Sequence, residues 1–162
     1  MNLITDRTPN DVERWRALRD KGWDRMTEEE RREWLGEIDV TPSAAKGMYT
    51  HNDLNRVESA VAEIVERLVK LGHRDLKLEV KTDWSYTDDF WQADMVRYLK
   101  NVSELASRVV NYPTTPPVPE IRNKLDYIAA NDIEKILVDV SDITLKNIDT
   151  RCYAGEIFLG EV

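Results

Sequence analysis

The fold is decided by residues 50–72, which read THNDLNRVESAVAEIVERLVKLG. Apolar side chains recur here at spacings of three and four, which is typical of one face of an α-helix. Thr50 and Asp53 form a capping-box pair that starts a helix, and Gly72 is a natural end. The stretch therefore predicts an amphipathic helix of about five turns. Its apolar face consists of Leu54, Val57, Val61, Ile64, Val65, Leu68 and Leu71.

The chain before this helix carries two more helix starts of the same kind. Thr8 is followed by Asp11, and Thr27 is followed by Glu30, at the spacing of a capping box. Gly22 separates the two segments and predicts the end of the first. Residues 8–38 therefore predict a helical hairpin, and residues 39–49 predict a loop.

After Gly72 the periodicity of the apolar residues changes from helical to alternating. Residues 76–81 place Leu76, Leu78 and Val80 between charged side chains, which predicts a short strand with one solvated face. A long helix is expected next, from about residue 89 or 92 to residue 110.

The C-terminal part begins with a proline-rich segment, residues 113–119, which predicts a stiff extended connector. A helix over about residues 126–142 should follow, with Glu134 and Lys135 facing outward. Residues 152–162 have a strand-like pattern and could pair with residues 76–80 or with another subunit.

The predicted fold class is mainly α, with about five amphipathic helices and a minor β element formed by residues 76–81 and 152–162. The expected organisation is a helical main domain over residues 1–112, the connector over residues 113–119, and a C-terminal arm over residues 120–162. The arm has too little core to stand alone, so we expect it to pack on the main domain or on a neighbouring subunit.

Charge and composition exclude several classes of partner. The chain of 162 residues has a formal net charge of -8 and a pI near 4.9, which disfavours nucleic acid and anionic membranes. No apolar run reaches membrane-span length, and the N-terminus lacks the layout of a signal peptide. The single cysteine, Cys152, cannot form an internal disulfide, so a reducing cytoplasm is expected.

The sequence offers no recognisable catalytic or metal-binding constellation. His51 and His73 lie at opposite ends of the predicted 50–72 helix, about 30 Å apart, so they cannot share a metal and are best interpreted as surface residues. Glycine-rich phosphate loops and nucleophile motifs are absent, and acidic runs at helix starts are explained by capping. We therefore expect no enzymatic activity, no cofactor and no metal.

An aromatic cluster is the most informative feature left by this elimination. Trp84, Tyr86, Phe90 and Trp91 fall between the predicted strand and the next helix, beside several aspartates. Aromatic residues in a connecting segment are less obliged to be core, and loops often carry binding residues. A binding role and a packing role are both open for this cluster.

Particular strings across almost the whole chain resemble small proteins encoded in the tail-gene regions of Firmicutes phages and prophages. The strings include LITDRT at residues 3–8, YTHNDLNRVE at 49–58, KTDW at 81–84, PTTPPVP at 113–119, ANDIEKIL at 130–137, and the ending at 153–162. The segment of residues 36–46 is longer than the family pattern.

This resemblance implies a minor tail or baseplate-associated structural protein without enzymatic activity. Its partners would be other tail or baseplate proteins, with a homo-oligomer possible, and it would reside in the host cytoplasm during assembly and then in the virion tail. The alternative is a module that binds carbohydrate of the host envelope. The candidate interface or ligand contacts are Trp84, Tyr86, Phe90, Trp91, Tyr153, Ile157 and Phe158.

Overall fold

The computed structural model describes residues 2–120 and 125–158, with residues 151–158 described by their backbone alone. Within these described residues, six α-helices follow one another, joined by irregular segments and a short 3-10 helix at Trp23–Arg25. They are α1 (Pro9–Lys21), α2 (Glu28–Trp34), α3 (Ala44–Gly47), α4 (His51–Lys70), α5 (Gln92–Ser107) and α6 (Tyr127–Phe158). The expectation of a mainly helical fold is confirmed.

The predicted helix starts are present as capping boxes. Thr8, Thr27 and Thr50 each accept a hydrogen bond from a backbone amide in the first turn, and the acidic residue three positions later bonds back to the threonine amide. Gly22 and Gly72 follow α1 and α4 with φ angles of 80° and 108°, values that favour glycine. The sequence positions of these helices are therefore set by local chemistry.

The main core lies between α4, α5 and α6. Its fully buried side chains include Val57 and Ile64 of α4, Val102 of α5, and Ile133 and Leu137 of α6. A smaller apolar cluster joins α1, α2 and α3, where Leu18, Met26 and Ala44 are buried beneath the stacked rings of Trp15 and Trp34.

Close backbone contact holds α1 against α3. A Cβ atom on Gly47 would lie 2.1 Å from the carbonyl oxygen of Asp11, so any larger residue would force the two segments apart. The Asp11 carboxylate accepts the amide of Ser43 at 2.6 Å, and Glu33 accepts the amide of Ala44 at 3.1 Å. The segment of residues 39–49, predicted as a loop, thus contains a short helix fixed by carboxylates of α1 and α2.

The prediction of a strand at residues 76–81 was wrong, although the alternation of apolar and charged residues correctly showed which side chains face the core. Leu76, Leu78 and Val80 face the core, but no strand occurs within residues 2–120 and 125–158. The carbonyl of Glu79 accepts hydrogen bonds from Arg97 and Asn101 of α5, at 2.8 and 2.7 Å. Side chains of α5 therefore bond to one backbone carbonyl that a partner strand could otherwise have satisfied.

The predicted C-terminal strand was also wrong, because α6 continues to Phe158. Residues 159–162 of that prediction lie outside the described residues. The proline-rich segment packs along α6: Tyr112 donates to the Asp142 carboxylate, and Thr115 donates to Asp139 at 2.7 Å. Within the described part of the chain, α6 supplies one wall of the main core.

Candidate functional site

An open groove of about 1320 Å³ lies on one side of the described part of the chain. Its walls come from α1, the segment before α4, the start of α4, the segment leading into α5, and the start of α6. Seven aromatic residues line it: Trp15, Tyr49, Trp84, Tyr86, Phe90, Trp91 and Tyr127. We refer to this feature as the aromatic groove.

Four of the predicted contact residues meet in this groove, and they divide into two pairs. Trp84 is buried and Phe90 packs against its ring edge-to-face, with centroids 5.3 Å apart. Tyr86 and Trp91, by contrast, are 86% and 67% exposed. The first pair builds the wall, whereas the second presents aromatic surface to the surroundings.

The other three predicted contacts are Tyr153, Ile157 and Phe158. Their backbone belongs to the last turns of α6, and their side chains lie outside the described part of the chain.

Trp84 is fixed by residues that the sequence did not single out. The Asn55 side chain donates to the Trp84 carbonyl at 2.8 Å and accepts the Trp84 amide at 2.7 Å. Lys81 places its ammonium 3.9 Å from the centroid of the Trp84 ring, a cation–π contact. In the sequence, the only sign of the role of Asn55 was that it is a polar residue on a helix with a strong apolar stripe.

A buried ionic cluster lies at the inner edge of the groove. Arg7 bonds to Asp53 at 3.0 Å and to Glu134 at 2.7 Å. Arg56 contacts the same two carboxylates, at 2.5 and 2.9 Å. The backbone amide of Ile4 donates to Glu134 at 2.6 Å. This arrangement fastens the N-terminal segment to α4 and α6.

The expectation that Glu134 faces outward was wrong, since its side chain is fully buried. Its charge is balanced by two arginines, one of which comes from a segment more than a hundred residues away. No local pattern in the sequence could reveal that partner.

Two tyrosines extend the polar network toward the core. The hydroxyl groups of Tyr49 and Tyr98 are hydrogen bonded to each other, and the Arg7 guanidinium lies 5.4 Å from the centroid of the Tyr49 ring. Burial raises the pKa of both tyrosines above the usual range. Both hydroxyls therefore stay neutral and serve as hydrogen-bonding groups.

Three groove-lining residues carry buried N–H groups without an acceptor among the described residues. They are Arg7 at Nε, Trp15 at Nε1 and Trp84 at Nε1. All three atoms are covered from solvent. The unsatisfied polar atoms of the groove wall are thus all hydrogen-bond donors.

Three carboxylates near the aromatic residues are engaged in local structure. Asp88 accepts from Lys81 and from the Ser85 amide, at 2.8 and 3.1 Å, and the hydrogen bond to Lys81 lowers the pKa of Asp88. Asp94 accepts the Trp91 amide at 3.0 Å, and Asp126 accepts the Ala129 amide at 2.8 Å. These acids hold the ends of the segments that form the groove.

His51 lines the groove, whereas His73 lies beyond the other end of α4. Over the described residues, no group of three or more histidine, cysteine or acidic side chains is arranged to hold a metal ion. In the same part of the chain, no helix has the length and apolar character needed to cross a membrane.

No family model, curated protein or solved structure matches the chain.

Proposed function

We propose that this chain is a structural or adaptor protein of a phage or prophage tail that works through protein–protein assembly and performs no catalysis. The resemblance described above, which spans almost the whole sequence, supports the tail assignment. The partners would be other tail or baseplate proteins, met in the host cytoplasm during assembly.

The observation that carries the proposal is the aromatic groove. Exposed Trp91 and Tyr86 stand beside Trp84, whose backbone Asn55 holds in place. Tryptophan and tyrosine dominate the energetics of many protein interfaces because they bury a large area with little loss of conformational freedom. A rigid wall with two exposed aromatic anchors suits the capture of a partner protein.

Three of the acidic groups at or beside the groove are engaged in local structure, which favours a binding role over hydrolysis. Asp88, Asp94 and Asp126 are all used by amides or an ammonium group of their own segments. Glycosidase chemistry needs two carboxyl groups facing each other across a bound sugar. Tethered acids at helix starts fit a structural role better.

A co-purification experiment tests the proposal. The chain would be co-expressed with tail and baseplate proteins from its own gene neighbourhood, and complexes would be measured by light scattering. Trp91→Ala should weaken assembly, because it removes an exposed ring in the groove.

Trp23→Ala is the matched control for that experiment, since Trp23 is 47% exposed and is not among the groove-lining residues. If the two variants assemble equally well with the tail proteins, the groove is not part of the interface. A chain that stays monomeric alone and with every tail component would overturn the proposal.

A second candidate function is the binding of host-envelope carbohydrate. The exposed faces of Tyr86 and Trp91 favour it, because sugar rings stack on flat aromatic surfaces. A cell-wall pull-down that depends on Tyr86 and Trp91, with no affinity for tail proteins, would replace the assembly proposal with this one.

A further inference from the structure

Two fully buried glutamates of the main core differ in how their charge is paired. Glu134 of α6 accepts hydrogen bonds from both Arg7 and Arg56. Glu58 of α4 has one ionic partner among the described residues, Arg97 of α5 at 2.7 Å, and neither of its oxygens receives a well-directed hydrogen bond. Buried polar groups without hydrogen bonds are rare in folded proteins, so Glu58 requires an explanation.

Glu58 lies beneath the segment that leads into α5. Arg97 pairs with Glu58 and also donates to the Glu79 carbonyl at 2.8 Å, and the Lys81 amide lies close to the Glu58 carboxyl. We refer to residues 79–91 as the strap. The strap therefore covers the Glu58 carboxyl from one side.

Side chains of the helices hold the strap in place. Asn101 donates to the Glu79 carbonyl, and Asn55 bonds to both the amide and the carbonyl of Trp84. Over residues 79–90, no backbone group is hydrogen bonded to the backbone of a helix within the part of the chain that the structure describes. Segments with so few backbone ties open locally at a small cost in free energy. The strap is therefore expected to open before the main core does.

An ionised Glu58 opposes closure of the strap. A buried carboxylate is costly unless its charge is paired and its oxygens are hydrogen bonded, and here only the charge is paired. The cost is relieved in either of two ways: the carboxyl takes up a proton, or the strap lifts and water reaches the carboxylate. Proton uptake and strap closure therefore favour each other.

We infer that Glu58 is a proton-dependent latch: its protonated carboxyl keeps the strap closed on α4 and α5, and loss of the proton loosens the strap. The inference goes beyond the proposed function, because it concerns the free protein and holds whatever the groove binds. The strap carries Trp84, Tyr86 and Trp91, so the latch sets how firmly these rings of the groove wall are held.

The groups on the helices around Glu58 agree with this direction. Burial raises the pKa of Glu58 above its usual range, Arg97 offsets only part of this effect, and Asp94 of α5 raises the pKa further. Tyr98 of α5 also faces Glu58 and is neutral, because burial raises its own pKa. On α6, the charge of Glu134 is compensated by its two arginines.

The cation on the strap does not neutralise Glu58. The Lys81 ammonium is engaged with Asp88 at 2.8 Å and with the ring of Trp84. When Glu58 takes up a proton, Arg97 keeps its hydrogen bond to the strap and its partial exposure to water. The charge of Arg97 therefore stays solvated while the strap is closed.

The direction of the pH dependence follows from the raised pKa of Glu58. With the strap open, the carboxyl is in water and titrates near its usual value of 4.5. With the strap closed, it holds its proton to a higher pH. The contribution of Glu58 to closure is therefore full below about pH 4.5 and is lost as the pH rises through the closed-state pKa.

Amide hydrogen exchange of the full chain labelled with ¹⁵N tests the inference. The Trp84 amide donates to Asn55 at 2.7 Å and reports closure of the strap, since it exchanges when that bond opens. Its protection is the ratio of the rate expected for an unstructured chain to the rate observed at the same pH. We expect this protection to fall about threefold or more between about pH 5 and about pH 8.

Glu58→Gln separates the latch from other sources of pH dependence, such as histidines. The amide side chain has the shape of the protonated carboxyl and cannot ionise. In this variant the fall in Trp84 protection should be lost, and the protection at about pH 8 should exceed that of the unmodified chain about threefold or more.

Glu33→Gln is the matched control for that variant. Glu33 is also a buried carboxylate, but it belongs to α2 and is bonded to Arg14 and to the Ala44 amide. This substitution should leave the pH dependence of the Trp84 protection unchanged.

Arg97→Met gives a second test with the opposite expected result. It removes the partner of the ionised Glu58, so the fall in Trp84 protection with rising pH should become larger than in the unmodified chain. The lost hydrogen bond to Glu79 lowers the protection by the same factor at every pH. The comparison therefore uses the size of the fall rather than the absolute protection.

The inference is overturned if the Trp84 protection of the unmodified chain does not fall as the pH rises, or if it falls equally in Glu58→Gln. A fall that Arg97→Met leaves unchanged would also overturn it. None of these measurements involves a tail protein, so failure of the proposed function, observed as absent assembly, is a separate result.

Discussion

The ionic cluster and the aromatic groove lie side by side and treat buried polar groups in opposite ways. In the cluster, Asp53 and Glu134 are held by Arg7, Arg56 and backbone amides. In the groove wall, the indole N–H groups of Trp15 and Trp84 have no partner among the described residues. The carboxylates of the cluster are paired within the chain, whereas the two indoles, like Arg7 Nε, leave a donor without an acceptor among the described residues.

This difference separates what stabilises the fold from what is available to a partner. A buried charge without its partner costs several kcal/mol, so the cluster constrains the free protein strongly. An unpaired neutral donor costs about 1–3 kcal/mol. A fold can tolerate this cost, and it is recovered when a bound partner supplies an acceptor. Substitutions in the ionic cluster should therefore lower the stability of the free protein, whereas removal of an unpaired groove donor should leave it nearly unchanged.

The largest effect is expected at Glu134, where Glu134→Gln removes a fully buried charge shared by two arginines. Two guanidinium groups would be left with one carboxylate, and the free energy of unfolding should fall by about 3–5 kcal/mol. Urea denaturation followed by circular dichroism measures this. Glu63→Gln, which removes a half-exposed partner of Arg67, should change stability by less than about 1 kcal/mol. Equal effects of the two variants would contradict the central role of the cluster.

The contact of α1 with α3 is a second place where a buried carboxylate is paired within the chain. The stability that this carboxylate contributes should depend on pH. Burial alone would raise the pKa of Asp11, but hydrogen bonds from the Ser43 amide and from Thr8 outweigh it and lower the pKa below 3.8. A lowered pKa means that the carboxylate stabilises the folded state above about pH 3.8 and that this contribution is lost as the pH falls through the folded-state value.

Asp11→Asn should therefore reduce the free energy of unfolding at pH 7 by about 1–3 kcal/mol, and the gap from the unmodified chain should close as the pH is lowered below about 3.8. Thermal unfolding at a series of pH values measures it. Asp20→Asn changes an exposed carboxylate of the same helix and should show no such closing gap. A difference for Asp11→Asn that stays constant with pH would refute the assigned role of its charge.

A smaller loss of stability is expected when the hydrogen bond between the two buried tyrosines is removed. Tyr98→Phe deletes one hydroxyl and leaves the Tyr49 hydroxyl without its partner, which should cost about 1–2 kcal/mol. Tyr86→Phe removes a hydroxyl from a residue that is 86% exposed and should be neutral. Chemical denaturation of both variants compares them, and a neutral Tyr98→Phe would mean that the buried pair contributes nothing to stability.

The smallest effect is expected for Trp84→Phe in the absence of ligand. The variant loses ring area but also loses an unpaired buried donor, and these changes offset each other to within about 1 kcal/mol. Differential scanning calorimetry of the free protein checks it. A loss of more than about 2 kcal/mol would mean that the packing of the indole outweighs the cost of its unpaired donor, and would contradict the expected balance.

Much of the helical architecture could be predicted because its signals are local. Thr8, Thr27 and Thr50 sit three residues before an acid, and each does begin a helix. The spacing of Val57, Val61 and Ile64 identified a core face that the structure buries. Such features depend on neighbours within a few positions, which any reading of the sequence can see.

The failures have non-local causes. Alternation in residues 76–81 correctly showed which side chains face inward, but whether an extended segment joins a sheet depends on a partner, and here Arg97 and Asn101 took that place. The charge on Glu134 indicated exposure, because its partner Arg7 lies far away in the sequence.

For the groove, the aromatic residues around Trp84 were recognisable as a cluster. Their meeting with Trp15 and Tyr49 was not, since it depends on how α1 packs against α3, just before the start of α4.

The hydrogen bond between the Ile4 amide and Glu134 spans 130 positions of sequence, and this has a consequence for folding during synthesis. A nascent chain emerges N-terminal end first, so residues 4–7 leave the ribosome long before α6 exists to receive them. Contacts of such long sequence separation slow folding because distant segments must find each other. The α4–α5 pair can form early, and Arg7 can meet Asp53 of α4, but the contacts of the N-terminal segment with α6 cannot form until translation has passed residue 134.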